Sequence, residues 1–231
     1  MMLRFIFLVA FAFLVSSCGY GQFQTARTLK RGQFKITLAD SYQMNNTRNI
    51  ADVDGVMKFA FFPANLDFRA GLSDHVDMGV KLFMLTGLLT DVKVNLMKPS
   101  NKFALSLGGG IGYAIDFGHD DLVHIINVPV SAIVSYTFLD ALTPYFGLTY
   151  NIFWILGREA DSNPEPGFEY VAQKGYGDHL LRFSTGAEWV FAKHFGIIGE
   201  YSLWVPIIND SGDNFKFVVN HFVGLGMVIP F

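Results

Sequence analysis

Phe103-Ala104-Leu105-Ser106-Leu107-Gly108-Gly109-Gly110-Ile111-Gly112-Tyr113-Ala114-Ile115 alternates with a period of two. Phe103, Leu105, Leu107, Ile111, Tyr113 and Ile115 fall on one side, and Ala104, Ser106, Gly108, Gly110, Gly112 and Ala114 on the other. Successive side chains of a β-strand point to opposite faces, so this run is a strand with one bulky apolar face and one face of small residues. Its glycines lie inside the alternation and read as close packing or curvature, not as a phosphate-binding loop.

The same pattern recurs on both sides of this strand. In 123–138, Ile126, Val128, Val130, Val134, Tyr136 and Phe138 oppose Asn127, Ser131, Ser135 and Thr137. In 144–155, Phe146, Leu148, Tyr150, Ile152 and Trp154 oppose Gly147, Thr149 and Asn151. Further on, Leu181, Phe183, Ala187, Trp189 and Phe191 oppose Arg182, Ser184, Gly186 and Glu188, and Ile197, Tyr201, Leu203 and Val205 oppose Glu200 and Ser202. The chain closes on Phe215, Phe217, Val219, Val223, Leu225, Met227, Ile229 and Phe231 against Lys216, Asn220, Gly224 and Gly226. Shorter segments at 33–42, 64–72, 76–84 and 87–97 bring the number of strands to ten.

The connections support that number. Ser73-Asp74-His75, Lys98 to Asn101, Leu139 to Thr143 and Ala192-Lys193-His194 are short and turn-like, whereas four of the five intervening connections (43–63, 85–87, 116–122, 156–178 and 206–214) are longer. Short turns on one side and longer loops on the other describe an even-stranded bacterial membrane barrel with both termini in the periplasm. The apolar faces carry Phe, Trp, Leu and Val at nearly every position. The opposite faces carry Gly, Ala and Ser, which suit a narrow interior. Aromatic residues gather at strand ends (Tyr113, Tyr136, Phe138, Trp154, Trp189, Phe191), where a lipid interface favours them. Open sheet edges are prohibitively costly in lipid, so the sheet must close. The reading is an all-β, closed antiparallel up-and-down transmembrane β-barrel of about ten strands over 33–231. A soluble β-sandwich, which also alternates, is the rival.

Composition agrees: 51% of residues are hydrophobic and 16% charged, against roughly 25% charged in soluble domains. A net charge of −3 and the absence of nucleic-acid-binding motifs exclude a nucleic-acid partner. Arg4 precedes an unbroken apolar run, Phe5 to Val15, too short for a membrane helix of about 20 residues. Residues 1–18 are therefore a signal peptide, followed by a periplasmic N-terminal segment, 19–32. Val15-Ser16-Ser17-Cys18 resembles a bacterial lipobox, which implies acylation of Cys18, and Gly19 after it implies sorting to the outer membrane. Cleavage at the small residues nearby is the alternative. Cys18 is the sole cysteine, so disulfides and cysteine metal sites are excluded.

The C-terminal run ending in Phe231 resembles the signal by which the barrel-assembly machinery recognises outer-membrane proteins. Gln24-Thr25-Ala26-Arg27-Thr28-Leu29 and Arg69-Ala70-Gly71-Leu72-Ser73-Asp74-His75-Val76-Asp77-Met78-Gly79 are similar to a family of uncharacterised bacterial outer-membrane β-barrel proteins, often lipoproteins. That resemblance implies fold and location, and brings no activity with it.

With the apolar faces in lipid, Lys35, Asp67, Arg69, Asp77, Lys81, Asp91, Lys93, Arg182, Glu188, Glu200 and Lys216 fall inside, six bases and five acids. Unpaired charges would cost several kcal/mol each in a narrow lumen, so pairing across strands is expected: Asp67 with Lys81, Asp77 with Arg69, Asp91 with Lys81. Such a network either plugs the barrel or lines a conduit or pocket for a small or lipidic ligand. A rim enzyme acting on lipid or peptide is the rival class. Its weak candidates are His119, Asp120 and His179, with Asp121, His124 and Asp178 nearby, and no nucleophile motif accompanies them. The loop 156–178 is a candidate contact surface for a partner. No metal or cofactor pattern is present.

Overall fold

The computed structural model describes residues 22–44, 65–83, 87–116, 123–138, 141–156, 177–208 and 220–231. They form ten strands: β1 (Phe34–Met44), β2 (Asn65–Gly71), β3 (Val76–Phe83), β4 (Gly87–Asn95), β5 (Phe103–Asp116), β6 (Val123–Tyr136), β7 (Leu142–Leu156), β8 (Gly177–Ala192), β9 (Phe195–Ile208) and β10 (Asn220–Pro230). Each pairs antiparallel with its neighbours in sequence, and β1 pairs with β10 to close the barrel. At the seam, Phe231 N–H donates to the Phe34 carbonyl at 2.8 Å.

The alternation maps onto two faces. Phe103, Leu107, Ile111 and Tyr113 of β5 lie exposed on the outside, while Ala104 and Ser106 are buried inside. The exposed aromatics gather toward the turn ends, where Tyr136 packs on Phe138, Trp189 on Phe191 and Phe191 on Phe195. A largely apolar outer wall is stable in lipid, and an aromatic girdle marks its interface. The core of the molecule is thus its lumen, where Ala39, Ala104, Ile133, Tyr145, Ile198 and Val228 are buried.

Boundaries differ from the alternation in small ways. β7 reaches Leu156 and β8 begins at Gly177, so pairing runs on to Trp154↔Gly177, into the expected loop. Pro129 lies inside β6, and the β5–β6 ladder opens between Gly109↔Val130 and Gly112↔Asn127, because proline has no N–H to donate. Cys18, the loop 43–63 beyond Met44, His119, Asp120 and Lys216 lie outside the described residues.

The alternation reads 19–32 only as a periplasmic N-terminal segment and gives it no place relative to the lumen. The described residues of this segment enter the lumen from the turn end: Gln22, Phe23, Gln24, Thr25 and Ala26 are all buried, Ala26 completely. The physical reason is polar satisfaction. The inward faces carry charged and hydroxyl side chains facing space that small residues leave open, and a chain with free N–H and C=O groups meets both needs.

Candidate functional site

Ten of the charged residues expected inside are among the described ones. Lys35, Asp67, Arg69, Asp77, Lys81, Asp91, Lys93, Arg182 and Glu200 are buried, and Glu188 meets Lys35 inside at 2.8 Å. Five of these are basic and five acidic, and Asp40 of β1 is buried as well. Sheet register dictates who meets whom. Asp67 stands opposite Lys81 and Asp77 opposite Lys93, giving pairs at 3.9 and 3.3 Å. Arg69 stands opposite Gly79, which stands opposite Asp91. A Cβ on Gly79 would collide with the Arg69 guanidinium, so glycine there lets the arginine lie across β3. It reaches Asp91 with both terminal nitrogens and holds Asp77 at 2.9 Å and Asp67 at 3.9 Å. Asp91 therefore pairs with Arg69 and not with Lys81, as its position had implied. The planar guanidinium, with donors in a fixed fork, suits several carboxylates at once.

The Lys81 ammonium is directed instead to the N-terminal segment. It donates to the Gln22 carbonyl at 2.9 Å. Lys93 donates to the carbonyls of Thr25 and Arg27, each at 2.9 Å, and the Ser106 hydroxyl to that of Ala26. The main-chain amide of Leu29 donates to Asp77 at 3.3 Å. Two consecutive amides, of Gln22 and Phe23, donate to the two oxygens of Glu200 at 2.7 Å each. Phe23 holds a φ of +42°, a left-handed conformation that bulky residues rarely adopt. That turn aims neighbouring N–H groups at one anion, which compensates its strain.

Glu200 is held from the wall side as well. Tyr145 donates to it at 2.7 Å and Ser202 at 2.6 Å. The alternation had left Tyr145 and Trp204 without a role, although both share the inward parity of Gly147 and Glu200. Arg182 lies 5.7 Å from the centre of the Trp204 ring and donates to Thr149 at 3.2 Å. Gln22 accepts from Ser184 at 2.7 Å through its side chain. It is thereby bonded to β3, β8 and β9 at once and crosses the lumen. A gap of about 30 Å³, lined by Gln22, Gln24, Lys81, Lys93 and Arg182 among others, has room for about two waters at ~10–15 Å³ each.

The rim candidates part company. His179 does not face the lumen: its Nδ1 meets the Tyr150 hydroxyl, and the rings lie 5.5 Å apart. His124 meets Tyr113 at 2.7 Å and His221 meets Tyr201 at 2.6 Å in the same way. Each histidine sits diagonally across a hairpin pair from its tyrosine, on the outer face near the loop end. Amphipathic rings on that face suit an interface. Among the described residues no group of His, Cys, Asp and Glu is arranged to hold a metal ion.

A closed antiparallel sheet with an apolar, aromatic-edged exterior and a charged interior defines the class: a transmembrane β-barrel of the bacterial outer membrane. No family model and no curated protein matches the chain. Solved structures do. Ail, the attachment invasion locus protein of Yersinia pestis, was solved with the heparin analogue sucrose octasulfate; it is 10% identical at a TM-score of 0.40, covering 87% of this chain and 99% of its own. The protease OmpT of Escherichia coli is 7% identical at 0.43, covering 90% and 100%. An outer-membrane channel of Pseudomonas putida F1 is 9% identical at 0.43, covering 92% and 99%. At such identities and scores the likeness carries nothing about activity or ligand.

Proposed function

We propose that this chain is a non-enzymatic outer-membrane barrel whose lumen is closed by its own N-terminal segment, so that passage or binding of a small or lipidic molecule requires the segment to leave. The observation that supports this is Gln22, buried at mid-height and bonded to both sides of the lumen. Ten strands enclose slightly more than their own side chains, since about eight just fill and about sixteen form an aqueous channel. A single extended segment is enough to occupy the difference. The wall is assembled by the barrel-assembly machinery from the C-terminal strand, and its outer face is solvated by outer-membrane lipid.

Planar-bilayer recording tests closure. The intact chain is expected to show no single-channel steps. Cutting at the exposed 30–33 turn and washing out the fragment, under conditions that keep heat-modifiable migration, is expected to produce them. Steps from the uncut chain would refute closure, and silence after removal would refute the segment as the closing element.

A further inference from the structure

We infer that the lumen is a binding site for an extended polypeptide, recognised through its main chain, and that residues 22–29 are its resident occupant. This rests on the proposed closure by the same segment and deepens it. The wall makes seven hydrogen bonds to main-chain atoms of the segment: Glu200 accepts two amides and Asp77 one, Lys81 serves one carbonyl, Lys93 two and Ser106 one. The segment's side chains are served poorly by comparison. Gln22 Oε1 accepts from Ser184, yet Gln22 Nε2, Gln24 Oε1 and Arg27 Nε are buried without a hydrogen-bond partner. Arg27 and Thr28 reach main-chain carbonyls of Asn101 and Asp74, at the turn-end mouth.

N–H and C=O groups are common to every residue, so a wall that reads them reads a backbone more than a sequence. The donors and acceptors are also charged side chains of fixed position. Lys93 is anchored by Asp77, and Glu200 by Tyr145 and Ser202. The site therefore persists when the segment is gone and selects for a segment whose deep residues, like buried Gln22 to Ala26, carry no charge, with a cation accepted only toward the mouth where Arg27 lies. Charged side chains would meet a wall whose own charges are already paired.

The test uses the folded full chain carrying a specific protease site in the exposed Lys30–Gln33 turn, cut after folding, so that the segment becomes exchangeable. A fluorescein-labelled synthetic peptide of residues 22–31 is expected to bind the nicked barrel saturably, one to one, by anisotropy. With the peptide N-acetylated so that Gln22 keeps an amide, the same composition in scrambled order should bind within about 10-fold, whereas N-methylation of the Gln22 and Phe23 amides should weaken binding by at least ~150-fold, two charge-assisted bonds being lost. No saturable binding, or a scrambled peptide as weak as the methylated one, would overturn the inference. Uptake by the uncut chain would do so too, by placing the peptide elsewhere. Conductance reports closure independently: a nicked barrel that conducts but binds no peptide keeps the plug and loses the receptor.

Discussion

Replacing Glu200 by Gln should loosen the segment without touching the barrel's own ion pairs. The carboxylate takes four donors, two on each oxygen: Gln22 N–H with Ser202 on one, Phe23 N–H with Tyr145 on the other. A carboxamide offers one acceptor oxygen and one NH2. The hydroxyls of Tyr145 and Ser202 can rotate to accept from that NH2, but a main-chain N–H cannot, so whichever way the amide turns one segment amide is left facing a donor. Losing one charge-assisted bond costs about 1.5–3 kcal/mol, and turning the other into a neutral bond costs about 1 kcal/mol more. A total of ~3 kcal/mol moves the release equilibrium by about 150-fold. The readout is the labelling rate by a membrane-impermeant maleimide of a thiol introduced by Gln24→Cys, at a buried position, in a Cys18→Ala chain carrying a conventional signal. Ser202→Ala, which removes a donor to the same carboxylate but spares both segment amides, should accelerate labelling by less than ~10-fold, because no bond to the segment itself is lost. Labelling within about 3-fold of the parent in Glu200→Gln, with an unchanged urea midpoint, would refute the argument that these amides hold the segment.

Other substitutions separate segment from wall. A Cβ on Gly147 would collide with the Gln22 carboxamide and one on Gly224 with the Phe23 ring, so Gly147→Ala and Gly224→Ala should speed tryptic cleavage at Arg27 while heat-modifiable migration persists; protection at the parent level would count against the packing described. Arg69→Met leaves Asp67, Asp77 and Asp91 without their shared cation and should cost about 3–5 kcal/mol, read as a lowered urea midpoint, and an unchanged midpoint would contradict the network. Deleting Phe231 removes its bonds to Phe34 at the seam and the last outward aromatic, so the yield of heat-modifiable barrel in outer membranes should fall several-fold; full yield would dismiss the terminal residue as an assembly signal.

The strands were legible because lipid demands an apolar residue at every second position, and a period of two is what a sequence displays best. Phe103 to Ile115 fixes one strand's two faces, and the short turns fix the order of all of them. Pairing was legible only between nearest neighbours. Asp67 with Lys81 and Asp77 with Arg69 occur, but Asp91 is taken by Arg69, because the vacancy above Gly79 matters as much as the charges on either side. The N-terminal segment was illegible for a different reason. Seven of its bonds leave from atoms that carry no side-chain signature, so 22–29 needs neither alternation nor charge to belong inside. The one local sign is conformational, the left-handed Phe23, which no sequence pattern announces.

The placement of the small inward residues argues against mere filling. Ser106 bonds the Ala26 carbonyl, Ser184 the Gln22 side chain, and Gly147 and Gly224 make room for Gln22 and Phe23. A barrel that required only a solid interior could carry Leu or Phe at such positions, gaining about 1.5–3 kcal/mol for each side chain buried. Here the wall is instead cut back where the segment lies and charged where the segment's main chain is polar. Meanwhile Arg69 ties β2, β3 and β4 together and, among the described residues, bonds only to carboxylates of the wall, so its own ion pairs do not depend on occupancy. Asp77, Lys81 and Lys93 serve both the ion pairs and the segment, whereas Arg69 serves the wall and Glu200 and Ser106 hold the segment, so a removable plug can leave without dismantling the Arg69 hub.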